Sequence, residues 1–233
     1  MDIEGKKLVI TGGGSGIGLA VARLAVARGA AVVLLGRNRE RLEQAAQGIG
    51  PAASIRAVDV TDVAAMADAF AAIGRFDHLV TSAAGITIGP FAELDEAAFR
   101  DFFEVKFWGQ YRAIRAALPT LARDGSITLL SGYLYRKPVP GFSAFAAVNG
   151  AIEGLVKVLA MELAPVRINA LAPGQIDTLG DVIGAEANEG RKAACAALPV
   201  GRIGTPEEAA HAALFLIENR FTTGTTLDVD GGQ

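Results

Sequence analysis

A chain of 233 residues that is 51% hydrophobic can bury one large core, and its net charge of −3, with both signs interspersed, leaves no basic footprint for a nucleic-acid backbone or an anionic membrane. The lone Cys195 excludes an internal disulfide and fits a reducing compartment, and the paired Cys or His spacings of a structural zinc site are absent, so no metal is expected. The N-terminal stretch MDIEGKKLVITGG lacks the apolar segment of a signal peptide, and no uninterrupted apolar run reads as long enough to cross a bilayer, so a cytoplasmic location is expected.

In chain order, the β-branched or Leu-rich runs KLVIT, AVVLLG, SIRAVDV, DHLVTS, SITLLS, VRINALAP and TTLDVDGG read as strands. Segments of helical periodicity separate them, around Gly16 to Arg28, Asn38 to Gln47, Asp62 to Ile73, Asp95 to Leu121, Phe142 to Leu163 and Pro206 to Ile217. This alternation predicts βαβ units in a single α/β domain over residues 1–233, with a parallel sheet covered by helices on both faces.

Directly after the first strand comes TGGGSGIG, Thr11 to Gly18. Gly12, Gly14, Gly16 and Gly18 let the backbone turn tightly, while the helix opening at Ser15, Gly16 and Ile17 points free N–H groups and its positive dipole end outward. A strand, a glycine loop and a helix in that order form a pyrophosphate cradle, whereas the glycines alone would also fit a plain connecting turn. About 20 residues further on, where an acidic residue would read the ribose of NAD, stand Gly36, Arg37 and Asn38. A guanidinium suits a 2′-phosphate, so NADP(H) is favoured over NAD(H), against the alternative that Arg37 and Arg39 are a solvated helix start.

With the loop at Thr11 to Gly18, VDVTD around Asp59, SAAG at Ser82 to Gly85, PGQIDT at Pro173 to Thr178, PVGRIGTPEEAA at Pro199 to Ala210 and the terminal TGTTLDVDGG, the sequence resembles the short-chain dehydrogenase/reductase family over its whole length. The resemblance implies a Rossmann-type doubly wound parallel sheet of about seven strands. It also implies that Asp59 and Val60 recognise the adenine, that Ser82, Ala83, Ala84 and Gly85 follow the cofactor, and that Pro173, Gly174, Ile176 and Thr178 lie along the nicotinamide. Asp59 as a strand-end cap and Thr178 as a helix cap remain open alternatives.

The family's relay is a Ser holding the substrate oxygen, a Tyr four residues before a Lys on one helix, and an Asn on the preceding long helix. The i, i+4 spacing stacks the phenol under an ammonium, which lowers its pKa toward the working pH. Counted from the flanking motifs, the Asn position is Lys106, the Ser position Gly132, the Tyr position Phe145 and the Lys position Asn149. Phe145 and Gly132 carry no group that moves a proton, so ordinary carbonyl reduction is expected to be lost or very slow. Asn149 retains hydrogen-bonding capacity and is a candidate to hold the nicotinamide ribose in place of the Lys.

After Gly132 the chain reads YLYRKPVPGF. Some relatives that reduce conjugated carbon–carbon double bonds draw their acid Tyr from this loop, so Tyr133 or Tyr135, with Lys106 beside it, is a candidate substitute proton donor. The competing expectation is that both tyrosines pack at a subunit interface or line an empty pocket. The segment LGDVIGAEANEGRKAACAALP resembles the family's substrate-covering region, and the two long helices are apolar on more than one face, which by resemblance implies a homodimer or homotetramer. Two functions stay open at this point. One is an NADP(H)-dependent oxidoreductase acting on an activated alkene, imine or carbonyl by an altered proton donor. The other is an inactive member of the fold serving as cofactor sensor, scaffold or oligomer partner.

Overall fold

The computed structural model describes residues 3–178, 185–196 and 198–233. Seven strands form one parallel sheet in the order β3-β2-β1-β4-β5-β6-β7. They are β1 (Lys7–Thr11), β2 (Ala31–Gly36), β3 (Ala53–Ala57), β4 (Phe76–Thr81), β5 (Leu121–Leu130), β6 (Arg167–Pro173) and β7 (Thr226–Val229). The chain works outward from β1 to β3, then crosses to β4 on the other side of β1, so the doubly wound topology expected from the sequence holds.

Side chains alternate across the sheet, and each face has its own core. Val9, Val33, Leu79, Ile127 and Ile168 meet α3 (Val63–Ile73), α5 (Gly109–Ala117) and α6 (Ser143–Glu162) on one side. Leu8, Ile10, Leu34, Val80 and Leu171 meet α1 (Gly16–Ala27), α2 (Arg39–Ile49) and the helix Pro206–Glu218 on the other. Each fully buried aliphatic side chain contributes roughly 1.5–3 kcal/mol relative to exposure, so both faces must stay covered. Helix starts follow the sequence signals: Asn38, Asp62 and Asp95 cap α2, α3 and α4 (Glu96–Phe103). The helix at Pro206 opens on a capping box between Thr205 and Glu208. In chain order that helix is α8, after α7 (Ala185–Cys195).

One expectation changes. The helix expected to run unbroken from Asp95 to Leu121 is instead α4, a five-residue π segment at Glu104–Trp108, and α5, and β5 begins at Leu121. A π turn leaves backbone groups out of the regular ladder, and here the Lys106 carbonyl accepts a hydrogen bond from the Gln110 side-chain amide at 2.8 Å. Among the described residues, α6 passes for a membrane-crossing helix by length and composition, but Asn149, Glu153 and Lys157 interrupt it, so the reading that no uninterrupted apolar run is long enough stands. Its stripe Ala144, Val148, Ile152 and Val156 is wholly buried against the sheet, which marks it as a core helix. The N-terminal part of the segment expected to cover the substrate, together with residue 197, lies outside the described residues.

Candidate active site

The carboxyl ends of β1, β4, β5 and β6 bring the glycine loop, Ser82 to Gly85, Ser131–Gly132 and Pro173–Gly174 to one edge of the sheet. Ligands of open parallel sheets bind in the crevice beyond that edge, where the winding direction reverses. Gly12 has φ +68°, and a Cβ there would stand 2.7 Å from the Ser82 backbone. A Cβ on Gly18 would stand 2.5 Å from the Gly12 carbonyl oxygen. The loop therefore packs backbone on backbone, and Ser15 at the N-cap of α1 makes no side-chain cap hydrogen bond, leaving the first-turn N–H groups for an anion. Thr178 closes the far side, its methyl 3.3 Å from a Cβ built on Gly16. Such a cradle fits a dinucleotide pyrophosphate.

Beyond the carboxyl ends of β2 and β3, the Arg37 guanidinium stands 4.0 Å from the Asp59 carboxylate, and Arg37 remains 69% exposed. The other oxygen of Asp59 accepts from the Thr61 N–H at 2.9 Å and the Thr61 hydroxyl at 2.8 Å, which closes a local turn two residues beyond β3. Asn38 caps α2 by accepting from the Arg41 N–H at 2.9 Å. The Arg41 stem lies over the loop, 3.4 Å from a Cβ built on Gly14. Arg41 was not singled out from the sequence, although it sits beside Arg37 and Arg39 in the same basic run. Val60, Ile17 and Ile176 are buried in the walls behind the crevice.

Lys106, Gly132, Phe145 and Asn149 converge at the end of β5. Lys106 is 6% exposed, donates to the Ser131 carbonyl at 3.1 Å and lies 5.2 Å from the centroid of the Phe145 ring. Burial alone lowers its pKa to about 8. Phe102 and Phe142 flank Phe145, with ring centroids at 4.5 and 5.9 Å. Asn149 is fully buried with both amide atoms unpartnered, and its nitrogen is 2.8 Å from a Cβ built on Gly132. The amide thus occupies the space that a side chain at 132 would need.

The loop tyrosines have their own contacts. Tyr133 is buried and its hydroxyl accepts from the Gln175 amide at 3.0 Å, whereas Tyr135 is 53% exposed with its ring against Gly150. Among the described residues no hydrogen bond joins either of them to Lys106. The loop is instead anchored by Arg136, whose guanidinium pairs with Glu153 of α6 and Asp228 of β7. Glu153 also accepts from the Ser131 hydroxyl at 2.9 Å. Gln110, Ser131 and Glu153 were missed from the sequence. Gln110 and Glu153 follow Lys106 and Asn149 by four residues, the spacing that would have placed each pair on one helical face.

A depression of about 400 Å³ lined by Phe99, Arg100, Phe103 and Trp108, and a polar one of about 40 Å³ around Asp77, His78 and Arg167, include no residue of the glycine loop or of the four converging positions. Among the described residues no cluster of His, Cys, Asp and Glu could hold a metal ion.

The fold and the glycine cradle define a protein of the doubly wound, dinucleotide-binding class. The family model described as Enoyl-(Acyl carrier protein) reductase matches residues 12–233. A galactitol 2-dehydrogenase (L-tagatose-forming) of Cereibacter sphaeroides is 36% identical over 99% of this chain and 95% of its own length. Two solved structures superpose closely. One is a small-chain dehydrogenase in complex with NADPH, 33% identical with TM-score 0.83 over 98% of both chains. The other is the apo short-chain oxidoreductase of Pseudomonas aeruginosa PAO1 described as containing an atypical catalytic center, 32% identical with TM-score 0.92 over 100% of this chain and 98% of that one. The chain belongs to the short-chain dehydrogenase/reductase family.

Proposed function

We propose that the protein is an NADP(H)-dependent oxidoreductase that acts on an activated double bond, an alkene or imine, without the tyrosine relay of its family. The observation that carries this reading is the buried Lys106 amine, which stands beside Phe145 where the resemblance places the catalytic phenol. With its pKa lowered to about 8, Lys106 exchanges a proton near neutral pH, which an unperturbed lysine does not. The bound nicotinamide would supply hydride.

The chain's own residues do the rest. Gly12 to Gly18 and the α1 N-terminus hold the pyrophosphate, Arg37 and Arg41 meet the 2′-phosphate, and Asp59 faces the adenine. Tyr133, held by Gln175, and Tyr135 are the secondary candidates for proton donation. Phe102, Phe142 and Phe145 form a dry aromatic wall, which favours an unsaturated substrate over a polyol. The family model's enoyl reductase description lends support to the substrate class, and the similar structure solved with NADPH to the cofactor.

A second reading, a cofactor-binding protein without turnover, is favoured by the unpartnered Asn149 amide and the filled space at Gly132. Exposed Trp108, Val158 and Met161 on the two long helical segments support self-association as a homodimer or homotetramer.

The test is a titration with NADPH and, separately, NADH, tracked by nicotinamide fluorescence, and then NADPH oxidation with α,β-unsaturated ketones and cyclic imines. Tight NADPH binding and oxidation that disappears in Lys106→Met are expected. NADPH binding with no oxidation of any such compound selects the second reading.

A further inference from the structure

We propose that Lys106 is a nucleophile that captures an aldehyde or ketone as an imine, so that the site takes carbonyl compounds with an unsaturated or aromatic body as covalent ligands. The proposal deepens the oxidoreductase reading and rests on it only for hydride transfer to the captured ligand. Three observations carry it.

First, Lys106 Nζ is buried over the Phe145 ring, among the described residues it forms no ion pair with a carboxylate, and its hydrogen bond goes to the Ser131 carbonyl. A neutral amine can donate one hydrogen to that oxygen and keep its lone pair free for attack. The groups packed against it are Ser131 from the end of β5 and Phe145 from α6, neither of which titrates. Glu153 of α6 is engaged by Ser131 and Arg136. Desolvation without an acidic neighbour lowers the lysine pKa to about 8, which supports a reactive free amine near neutrality.

Second, the Asn149 amide, one helical turn after Phe145, is fully buried with neither atom satisfied. Leaving such a group unpaired costs roughly 1–3 kcal/mol, so a ligand that accepts from its N–H₂ and donates to its oxygen is favoured there. A carbonyl oxygen accepts, and the hydroxyl of the addition product both accepts and donates.

Third, the loops that follow β4 and β5 at the same sheet edge carry exposed apolar side chains: Ile86, Ile88, Tyr135 and Val139 are each 42–53% exposed. Their two loops are tied together by the Gly89 N–H donating to the Gly141 carbonyl at 3.0 Å.

In the step itself, the amine nitrogen bonds to the carbonyl carbon as the C=O π pair moves to oxygen, and a proton passes from nitrogen to that oxygen. The hydroxyl then leaves as water with a second proton, and N=C forms. Nothing is oxidised or reduced. Protonated on nitrogen, the imine carries its positive charge in a covalent bond to the substrate. In a conjugated imine that charge reaches the β carbon, so hydride from the bound nicotinamide would add there and a proton would add at the α carbon. Water would then release the saturated carbonyl compound and the free amine. Hydride at the imine carbon would leave a secondary amine with no route off the lysine.

The test uses the intact protein without nucleotide, incubated with cinnamaldehyde from pH 6 to 10, quenched with sodium borohydride and mapped by peptide mass spectrometry. Expected is a secondary-amine adduct on Lys106 at least ten-fold above that on exposed Lys157, rising through pH 8. In Asn149→Ala it should fall five-fold or more with an unchanged circular dichroism spectrum. Lys106 modified no faster than Lys157, or adduct formation indifferent to Asn149→Ala, overturns the proposal. An NADPH titration of the same sample separates the two claims. Adduct without nucleotide binding removes the oxidoreductase reading and leaves the nucleophile standing, and binding without adduct does the reverse.

Discussion

The two ends of one crevice are built in opposite ways. At the β1 end, every position that must be small is small, because backbone meets backbone: Gly12 against Ser82, and Gly18 against Gly12. At the β5 end, the positions where the resemblance places a proton relay hold Lys106, Gly132, Phe145 and Asn149, and they are packed as a set. Asn149 fills the space over Gly132, and Lys106 lies on Phe145. The contrast teaches that a cradle for a nucleotide and a centre for proton transfer are separate physical constructions, even when they share a sheet edge. The first depends on steric permission, the second on a few polar atoms, and only the second can be replaced without disturbing the fold.

The comparison breaks most sharply at the glycine loop. Gly18→Val should lower stability by ~3 kcal/mol or more and abolish NADPH binding, because its Cβ would meet a carbonyl oxygen that cannot retreat. Chemical denaturation and fluorescence titration measure both. A Gly18→Val protein as stable as the parent would remove the steric argument for that end.

At the other end, Lys106→Met should stabilise the protein by ~3 kcal/mol at pH 7, since the folded-state pKa of about 8 lies below the ordinary 10.5. The sign comes from proton uptake. Between pH 8 and 10.5 the unfolded chain binds more protons than the folded one, so parental stability rises with pH across that window. The penalty is complete below pH 8, and the advantage of Lys106→Met should therefore shrink as the pH approaches 10.5. Urea unfolding at pH 7, 9 and 10.5 reads it directly, and a pH-independent difference would place the lysine in water rather than in the core.

A smaller effect tests whether the altered residues act as a set. Gly132→Ser should cost about 1–3 kcal/mol, because its Cβ would stand 2.8 Å from the Asn149 nitrogen. In an Asn149→Ala background most of that cost should vanish, giving a coupling energy above ~0.5 kcal/mol in a double-mutant cycle. Additive costs would mean that the two replacements are independent.

The smallest effect concerns cofactor choice. Arg37→Ala should weaken NADPH binding about 10-fold, the worth of one charged hydrogen bond, while leaving NADH binding unchanged. Equal loss for both nucleotides would assign Arg37 to the fold rather than to the 2′-phosphate, and Arg41 over the glycine loop would take its place as the reader.

Much of this was legible in the chain because the signals are local. The glycine loop between a strand and a helix, Asn38 and Asp62 at helix starts, and the Thr205–Glu208 capping box are short-range patterns, and each appears where its spacing implies. The break at Glu104–Trp108 was not legible: helical periodicity continues through it, and the π turn is held by Gln110, which reaches the Leu130 carbonyl of β5 as well as that of Lys106. Likewise Glu153 reads as an acidic blemish on an apolar helix until Ser131 and Arg136 are seen beside it.

The sequence by itself therefore determined the parallel α/β order, the phosphate cradle and the four residue types where the resemblance places the relay, since these depend on periodicity, backbone permission and counting from motifs. Only the tertiary structure decided that Lys106 is buried against Phe145 with a lowered pKa, that the Asn149 side-chain amide has no partner among the described residues, and that Tyr133 bonds to Gln175. Those properties belong to desolvation and to contact between segments far apart along the chain, which no local pattern records.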